Sequence, residues 1–271
     1  MFSIIILTYN EENSLQDCLN HIKFCDDIVV IDSNSNDSTV EIAKKNGARV
    51  YINKFKNFGD QRNFAIEKVK YKYDWVFHLD VDEHFTEDLK NECEESLKDY
   101  KFGAFMVPSK MMLYGKWLKY SGDYPVYQMR FHKIGDARFI KWGHGQRESE
   151  LKNGLGYFNS PYLHNSFEKG ISSWLLKHIK YAEQEAKLFN KEQRKIKFLN
   201  LTSSSKLIRY RELKNLSSIL PMKPLLRFLY YYFYRKGFLD GRIGFEYCKM
   251  QFLFELMISI KVFEEGNNKK P

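Results

Sequence analysis

Three polar clusters have the residue types to do chemistry together: Thr8-Tyr9-Asn10-Glu11-Glu12, Asp32-Ser33-Asn34-Ser35-Asn36-Asp37-Ser38-Thr39 and Asp80-Val81-Asp82-Glu83. Asp80 and Asp82 flank one residue, so in an extended chain both carboxylates point the same way. Two carboxylates aimed at one point repel unless a proton or a cation lies between them. Mg2+ and Mn2+ take oxygen ligands, usually one or two carboxylates plus phosphates. An ion that bridges a diphosphate stabilises it as a leaving group. A bare Asp-x-Asp is more often a solvated turn, and the Asp32 segment alone reads as a turn with a helix cap. The ordered set of three is much harder to obtain by accident.

The elements that must position these clusters alternate. Residues 2–7 form a short β-branched run, a buried-strand signal, and 27–31, 49–52 and 75–79 read as the second, third and fourth strands. Residues 13–24, 38–45, 59–69 and 87–97 have helical spacing, and Asn46-Gly47 closes the second of these. Strands joined by crossover helices imply an α/β fold with a mainly parallel, right-handed sheet. Ligands of such sheets bind beyond the carboxyl ends of the strands, where all three clusters fall. No Gly-rich phosphate loop follows the first strand, which argues against a dinucleotide dehydrogenase and a P-loop NTPase. Side chains must then hold any nucleotide.

Residues 101–165 change texture, with expected strands at 102–108 and 127–131 between scattered glycines. The last third is expected to be helical over 171–189, 225–234 and 245–263, with Pro221 and Pro224 breaking the chain between. Two domains are therefore expected, 1–165 and 166–271.

At 271 residues, 44% apolar and 16% aromatic, the chain is long and apolar enough for a sizeable core, which excludes a mostly disordered protein. Its four cysteines form no C-x-x-C pair, which favours a reducing compartment. No secretory signal opens the chain, and the longest stretch without Lys, Arg, Asp or Glu is 153–167, too short and too polar to span a membrane. A cytoplasmic protein is expected. Residues 1–100 hold 12 Lys/Arg against 20 Asp/Glu, whereas residues 191–249 hold 14 against 4. In that basic part Lys206, Arg209, Arg211, Lys214, Lys223, Arg227, Arg235, Lys236 and Arg242 interleave with Leu225, Phe228 and Tyr230 to Tyr234. This composition suits the inner face of an anionic membrane, with aromatics at headgroup depth. A core helix with a solvated basic face is the plainer alternative. Nucleic acid is not expected as a partner, because no recognition module is present.

The ordered clusters, with Gln61-Arg62-Asn63-Phe64-Ala65, resemble family 2 glycosyltransferases, which are inverting, nucleotide-sugar-dependent enzymes of the glycosyltransferase A fold. Arg130-Phe131, Gly143-His144-Gly145-Gln146-Arg147-Glu148, Trp174 to His178 and Gly237-Phe238-Leu239-Asp240-Gly241 are similar to a bacterial subgroup acting on lipopolysaccharide and related surface glycans. The resemblance implies that Thr8, Tyr9 and Glu11 line the nucleotide pocket and that Asp32 hydrogen-bonds the base. It implies that Arg62 and Asn63 help hold the nucleotide or its sugar, that Asp80 faces the ribose and donor sugar, and that Asp82 ligates Mg2+ or Mn2+.

Inverting transfer also needs a base for the acceptor hydroxyl. In the family this is often an Asp shortly before an Arg, with a metal-binding His some twenty residues later. Asp123, Arg130 and His144 roughly match that pattern, although Ser121-Gly122-Asp123 stands where a Glu-Asp pair is usual. Glu148 is an equal candidate for the base. His132 and His164 are expected to be structural. The function implied is transfer of a hexose, from a UDP-sugar above all, to a lipopolysaccharide-core, capsule or lipid-linked glycan acceptor. A nucleotidyltransferase on a similar sheet and a non-catalytic membrane or nucleic-acid binding protein are the alternatives.

Overall fold

The structure, a computed structural model, describes residues 1–99, 101–142, 145–191 and 222–267. Strands β1 (Ser3–Thr8), β2 (Ile28–Asp32), β3 (Arg49–Ile52) and β4 (Trp75–Asp80) lie in the order β3-β2-β1-β4 and run parallel. Helices α1 (Leu15–Asn20), α2 (Thr39–Lys45) and α3 (Phe58–Lys68) connect them, and α4 (Glu87–Ser96) follows. The strands are near-continuous apolar runs because both faces of the sheet are covered. Ile4, Ile6, Val30, Phe77 and Leu79 join a core with Leu15, Leu19, Ala43 and Leu89. The alternate residues Ile5, Val29, Ile31 and Val76 join Ala65 and Val69 on the other face.

Past β4 the sheet is mixed. The remaining strands of this region are β5 (Glu83–His84), β6 (Ala104–Leu113), β7 (Lys116–Trp117), β8 (Val126–Lys133), β9 (Ala137–Trp142), β10 (Gly145–Leu151), β11 (Leu155–Tyr157) and β12 (Tyr162–His164). The order continues β4-β8-β6-β12-β5, with β8 antiparallel to both of its neighbours. β9 and β10 form a separate antiparallel pair. Several of these strands are absent from the sequence expectation because they are short or lack an apolar face. β10, for example, runs Gln146-Arg147-Glu148-Ser149-Glu150 without an apolar residue.

Helix α1 is shorter than expected. Beyond Asn20 the chain tightens into turns, with Ile22 N–H donating to Leu19 O and Cys25 N–H to Ile22 O. Helix α3 begins at Asn57, whose side chain accepts from Asp60 N–H at 3.0 Å. Gly59 in its first turn has no room for a side chain, because a Cβ there would come within 2.9 Å of the Ile140 carbonyl carbon. The backbone of β9 thereby approaches α3 closely.

The chain divides into two compact units, Met1–Trp117 with Gly122–Glu168, and Leu118–Ser121 with residues from Lys169 onward. The second contains α5 (Gly170–Lys191), α6 (Lys223–Leu229), a π turn (Tyr230–Tyr234), a 3-10 turn (Gly237–Asp240) and α7 (Gly241–Asn267). The expected helix over 225–234 is thus two pieces. Pro224 sits in the first turn of α6, where its missing N–H costs nothing. Asp240 accepts hydrogen bonds from Tyr120 N–H, Ser121 N–H and the Ser121 hydroxyl. Buried Glu255 on α7 is paired with Lys223 at 2.6 Å and with Arg227 at 3.3 Å. Lys206, Arg209, Arg211, Lys214 and Pro221 lie outside the described residues.

Candidate active site

Thr8 ends β1 and Asp32 ends β2, and the parallel register places them side by side. The Thr8 hydroxyl donates to Asp32 Oδ2 at 2.8 Å. Asp32 is fully buried, and its other bonds come from Ser35 N–H at 2.8 Å and the Ser35 hydroxyl at 2.5 Å. The loops that follow are laced together. Asn10 N–H donates to Ser35 Oγ at 2.8 Å, Glu11 N–H to Thr39 Oγ1 at 2.7 Å, and Ser38 N–H to Glu12 Oε2 at 3.1 Å. Asn10 adopts φ +53°, a left-handed geometry that Asn tolerates. Two of the polar clusters therefore form one rigid rim at the carboxyl ends of β1 and β2, from which Tyr9 projects, 60% exposed.

The third cluster adjoins it, because Asp80 at the end of β4 pairs in register with Leu7 of β1. The chain does not stay extended here. β4 stops at Asp80, Val81 and Asp82 turn, and β5 begins at Glu83. The two aspartates accordingly meet different partners. Asp80 Oδ1 accepts from Arg62 at 3.1 Å and Oδ2 from Arg130 at 2.9 Å. Both arginines are buried, whereas 38% of the Asp80 side chain meets solvent. Arg130 also pairs with fully buried Glu83, which accepts from Asp80 N–H at 2.9 Å. Burial opposes charge on Asp80, but the Arg130 and Arg62 guanidiniums win and hold its carboxyl well below the usual range. Burial pulls Arg62 down; Asp80 opposes that shift and Arg130 adds to it. Arg62 Nε and Nη1 are buried without a hydrogen-bond partner among the described residues. Two guanidiniums crowded into one dry place cost free energy, and such crowding is common where a fold is arranged for an anionic ligand.

Asp82 faces His164 of β12, with Nε2 to Oδ2 at 3.4 Å. Residue types alone gave no hint of this, since nothing near His164 in sequence marks it. The pairing arises because β12 lies against β5 in antiparallel register, His164 opposite Glu83. One carboxylate and one imidazole at the sheet rim fit a small divalent cation that takes its remaining ligands from phosphate or water. Asp80, already matched by two arginines, fits that role less well.

The remaining expected site residues lie on other elements. Asn63 is corrected. Its amide is spent on the backbone of β9, Nδ2 donating to Phe139 O at 2.8 Å and Oδ1 accepting from Phe139 N–H at 3.0 Å, so it pins β9 to α3. Phe139 in turn places its ring against Arg62, 5.8 Å from the guanidinium carbon. Glu148 stands opposite Phe139 in β10, half-buried. Asp123 is half-buried, with φ +59°, ahead of β8. His144 lies outside the described residues. Beneath the site His78 and His132 are fully buried, their Nε2 atoms 3.0 Å apart. His132 Nδ1–H donates to Lys133 O, and burial pushes its imidazole down to about 4.

Known proteins share parts of this chain. An uncharacterized glycosyltransferase of Rickettsia typhi is 36% identical over 122 residues, 45% of this chain and 40% of that protein. The lipopolysaccharide core biosynthesis glycosyltransferase LpsC of Rhizobium meliloti is 28% identical over 100 residues, 35% of this chain and 36% of that one. The matches thus span well under two thirds of the length of these relatives. The solved structure of S. aureus TarS 1-349 superposes with a TM-score of 0.46 and 15% identity over 99% of this chain and 92% of that one, a likeness too slight to carry a conclusion. The sequence profile of Glycosyl transferase family 2 matches residues 3–147, more than half the chain. With that match, and with the laced loops and acidic rim lying within it, this protein belongs to glycosyl transferase family 2 and has the α/β glycosyltransferase A fold.

Proposed function

We propose that the chain is an inverting hexosyltransferase that uses a nucleotide sugar, a UDP-sugar, as donor. The observation that supports this best is the pair of buried arginines on Asp80, beside Asp82 and His164, at the rim shared with Thr8 and Asp32. In this reading Thr8, Tyr9 and Glu11 border the nucleotide, with the exposed Tyr9 ring available to the base. Asp32 acts mainly by holding Thr8 and Ser35 in place. Asp80 faces the ribose and the donor sugar, held rigid by Arg62 and Arg130.

The acceptor hydroxyl oxygen attacks the anomeric carbon from the side opposite the diphosphate. A new C–O bond forms as the bond from that carbon to the phosphate oxygen breaks, and the nucleoside diphosphate leaves with the electron pair. The hydroxyl proton goes to a carboxylate, Asp123 or Glu148. Asp82 and His164 would hold Mg2+ or Mn2+, which supplies positive charge to the departing diphosphate. In a site partly shut off from water, the fixed charge of the arginines acts more strongly than it would in bulk solvent.

The acceptor we infer is a lipopolysaccharide-core, capsule or other lipid-linked glycan. The role in the name of the R. meliloti relative, lipopolysaccharide core biosynthesis, supports that class. So does the second unit, where Tyr230, Phe233, Tyr234 and Phe238 are exposed among basic residues. Among the described residues no helix is long and apolar enough to cross a membrane. Residues 1–165 would carry catalysis, and 166–271 would bring the enzyme to the inner, anionic face of the cell membrane and to its acceptor.

A thermal-shift screen of nucleotide sugars with Mn2+ tests the donor site, because a ligand that binds only the folded chain raises its melting temperature. One UDP-sugar is expected to raise it for the wild type and to fail with Arg62→Ala. Release of inorganic pyrophosphate from a nucleoside triphosphate, with no response to any nucleotide sugar, would overturn the reading in favour of nucleotidyl transfer.

A further inference from the structure

On the first unit, Asp17, His21 and His84 converge. Asp17 lies in α1, and His21 follows one turn later in the chain that continues it, so the two share a face at i and i+4. His84 comes from β5, where its neighbour Glu83 is turned into the buried network, so His84 faces the other way. His84 Nε2 lies 2.9 Å from Asp17 Oδ2. The rings of His21 and His84 stack with centroids 3.8 Å apart and planes 15° apart. One ligand atom from each of the three residues lies within 4.8 Å of the others.

We propose that Asp17, His21 and His84 form a second metal site, selective for a divalent transition ion of the zinc type and separate from the donor's cation. A hydrogen bond within it favours ligation. His21 Nδ1–H donates to the Asp17 carbonyl at 2.9 Å, which leaves the ring's lone pair on Nε2. Histidines that bind metals commonly fix their tautomer in this way. The Asn165 amide nitrogen lies 3.2 Å from His84 Nδ1 and 3.3 Å from Nε2, so it rests against the ring without choosing between them.

Tetrahedral zinc with ligands at about 2.0–2.2 Å needs ligand atoms roughly 3.3 Å apart. Small rotations of half-exposed side chains supply that spacing, since Asp17 is 51% and His21 38% exposed. The same exposure leaves the fourth position to water. Two imidazoles and one carboxylate prefer Zn2+, Ni2+ or Cu2+ to Mg2+. The ion would clasp α1, which follows the Thr8–Glu12 loop, to β5, which follows Asp82.

Zn2+ alone, titrated into the full chain against a chromophoric chelator, tests the site without reference to activity. One equivalent is expected to bind the wild type and Asp82→Asn alike, and to bind His21→Ala and Asp17→Asn at least tenfold more weakly. Circular dichroism confirms that each variant is folded. With Cu2+ as probe, the electron paramagnetic resonance of the wild type should show two nitrogen ligands and that of His21→Ala one. Equal affinity in His21→Ala and wild type, loss of the bound ion in Asp82→Asn, or no stoichiometric ion in the wild type would each overturn the proposal.

Discussion

Arg130 on β8 and Glu83 on β5 form an ion pair in which neither side chain meets solvent, although their strands are not neighbours in the sheet. The guanidinium reaches under the rim and holds Asp80 as well, at 2.9 Å. The position of Asp80 therefore depends on a charge supplied fifty residues later in the chain.

That dependence makes Arg130→Met a severe change. It leaves Glu83 charged or forcibly protonated in a dry site, at a cost of about 3–5 kcal/mol. The double variant Arg130→Met with Glu83→Met should recover much of the loss, since a well-packed apolar pair avoids desolvation of both charges. Urea midpoints measure both, and a wild-type midpoint for Arg130→Met would refute the energetic importance of the pair.

Asp82→Asn should lower turnover with Mn2+ by roughly a hundredfold or more, the scale of losing several kcal/mol of leaving-group stabilisation. His164→Ala should lower it in the same direction and raise the Mn2+ concentration needed for half-maximal rate. Full activity of either variant after metal chelation would show that the rim carboxylate holds no catalytic cation.

Acid should destabilise the fold through His132. Its ordinary value is 6.5 and burial lowers it to about 4 in the folded chain. Above about pH 7 the imidazole is neutral in both states and contributes nothing. As pH falls from 6.5 toward 4, the unfolded chain takes up a proton that the folded chain refuses, so stability drops. The loss is about 1.4 kcal/mol per pH unit and approaches roughly 3 kcal/mol near pH 4. His78, also depressed by burial, acts in the same direction. His132→Phe should flatten this slope in urea titrations between pH 4 and 7, and an unchanged slope would assign the acid sensitivity to other groups.

Asn63→Ala should destabilise the first unit by about 1–3 kcal/mol, because it leaves the Phe139 backbone groups without their amide partner. The donor KM should rise little. A tenfold rise in KM with unchanged thermal stability would return Asn63 to the nucleotide site.

Phe233 and Tyr234 are 59% and 77% exposed in the π turn of the second unit. Replacing both with Glu removes two interfacial rings and adds repulsion from anionic lipid. Flotation with phosphatidylglycerol vesicles should show the bound fraction fall several-fold while turnover on a soluble acceptor persists. Equal flotation of variant and wild type would relocate the membrane contact.

The sequence by itself determined the alternation of strands and helices through residue 97, because buried parallel strands and their crossover helices are written in local hydrophobic periodicity. It also determined that Thr8, Asp32 and Asp80 share a rim, since parallel strands bring their carboxyl ends to one edge. Family membership followed from the same ordered clusters, and the profile match over 3–147 shows it. The tertiary structure decided the partners. Arg130 and His164 reach the acidic turn only because β8 inserts antiparallel beside β4 and β12 lies against β5, pairings that depend on non-local backbone hydrogen bonds and leave no local pattern. The same holds for Asn63, whose residue type suits a ligand as well as a backbone and whose amide meets the backbone of β9, which comes close at Gly59. Periodicity reports which face of an element is buried; it carries no information about which distant side chain will be waiting there.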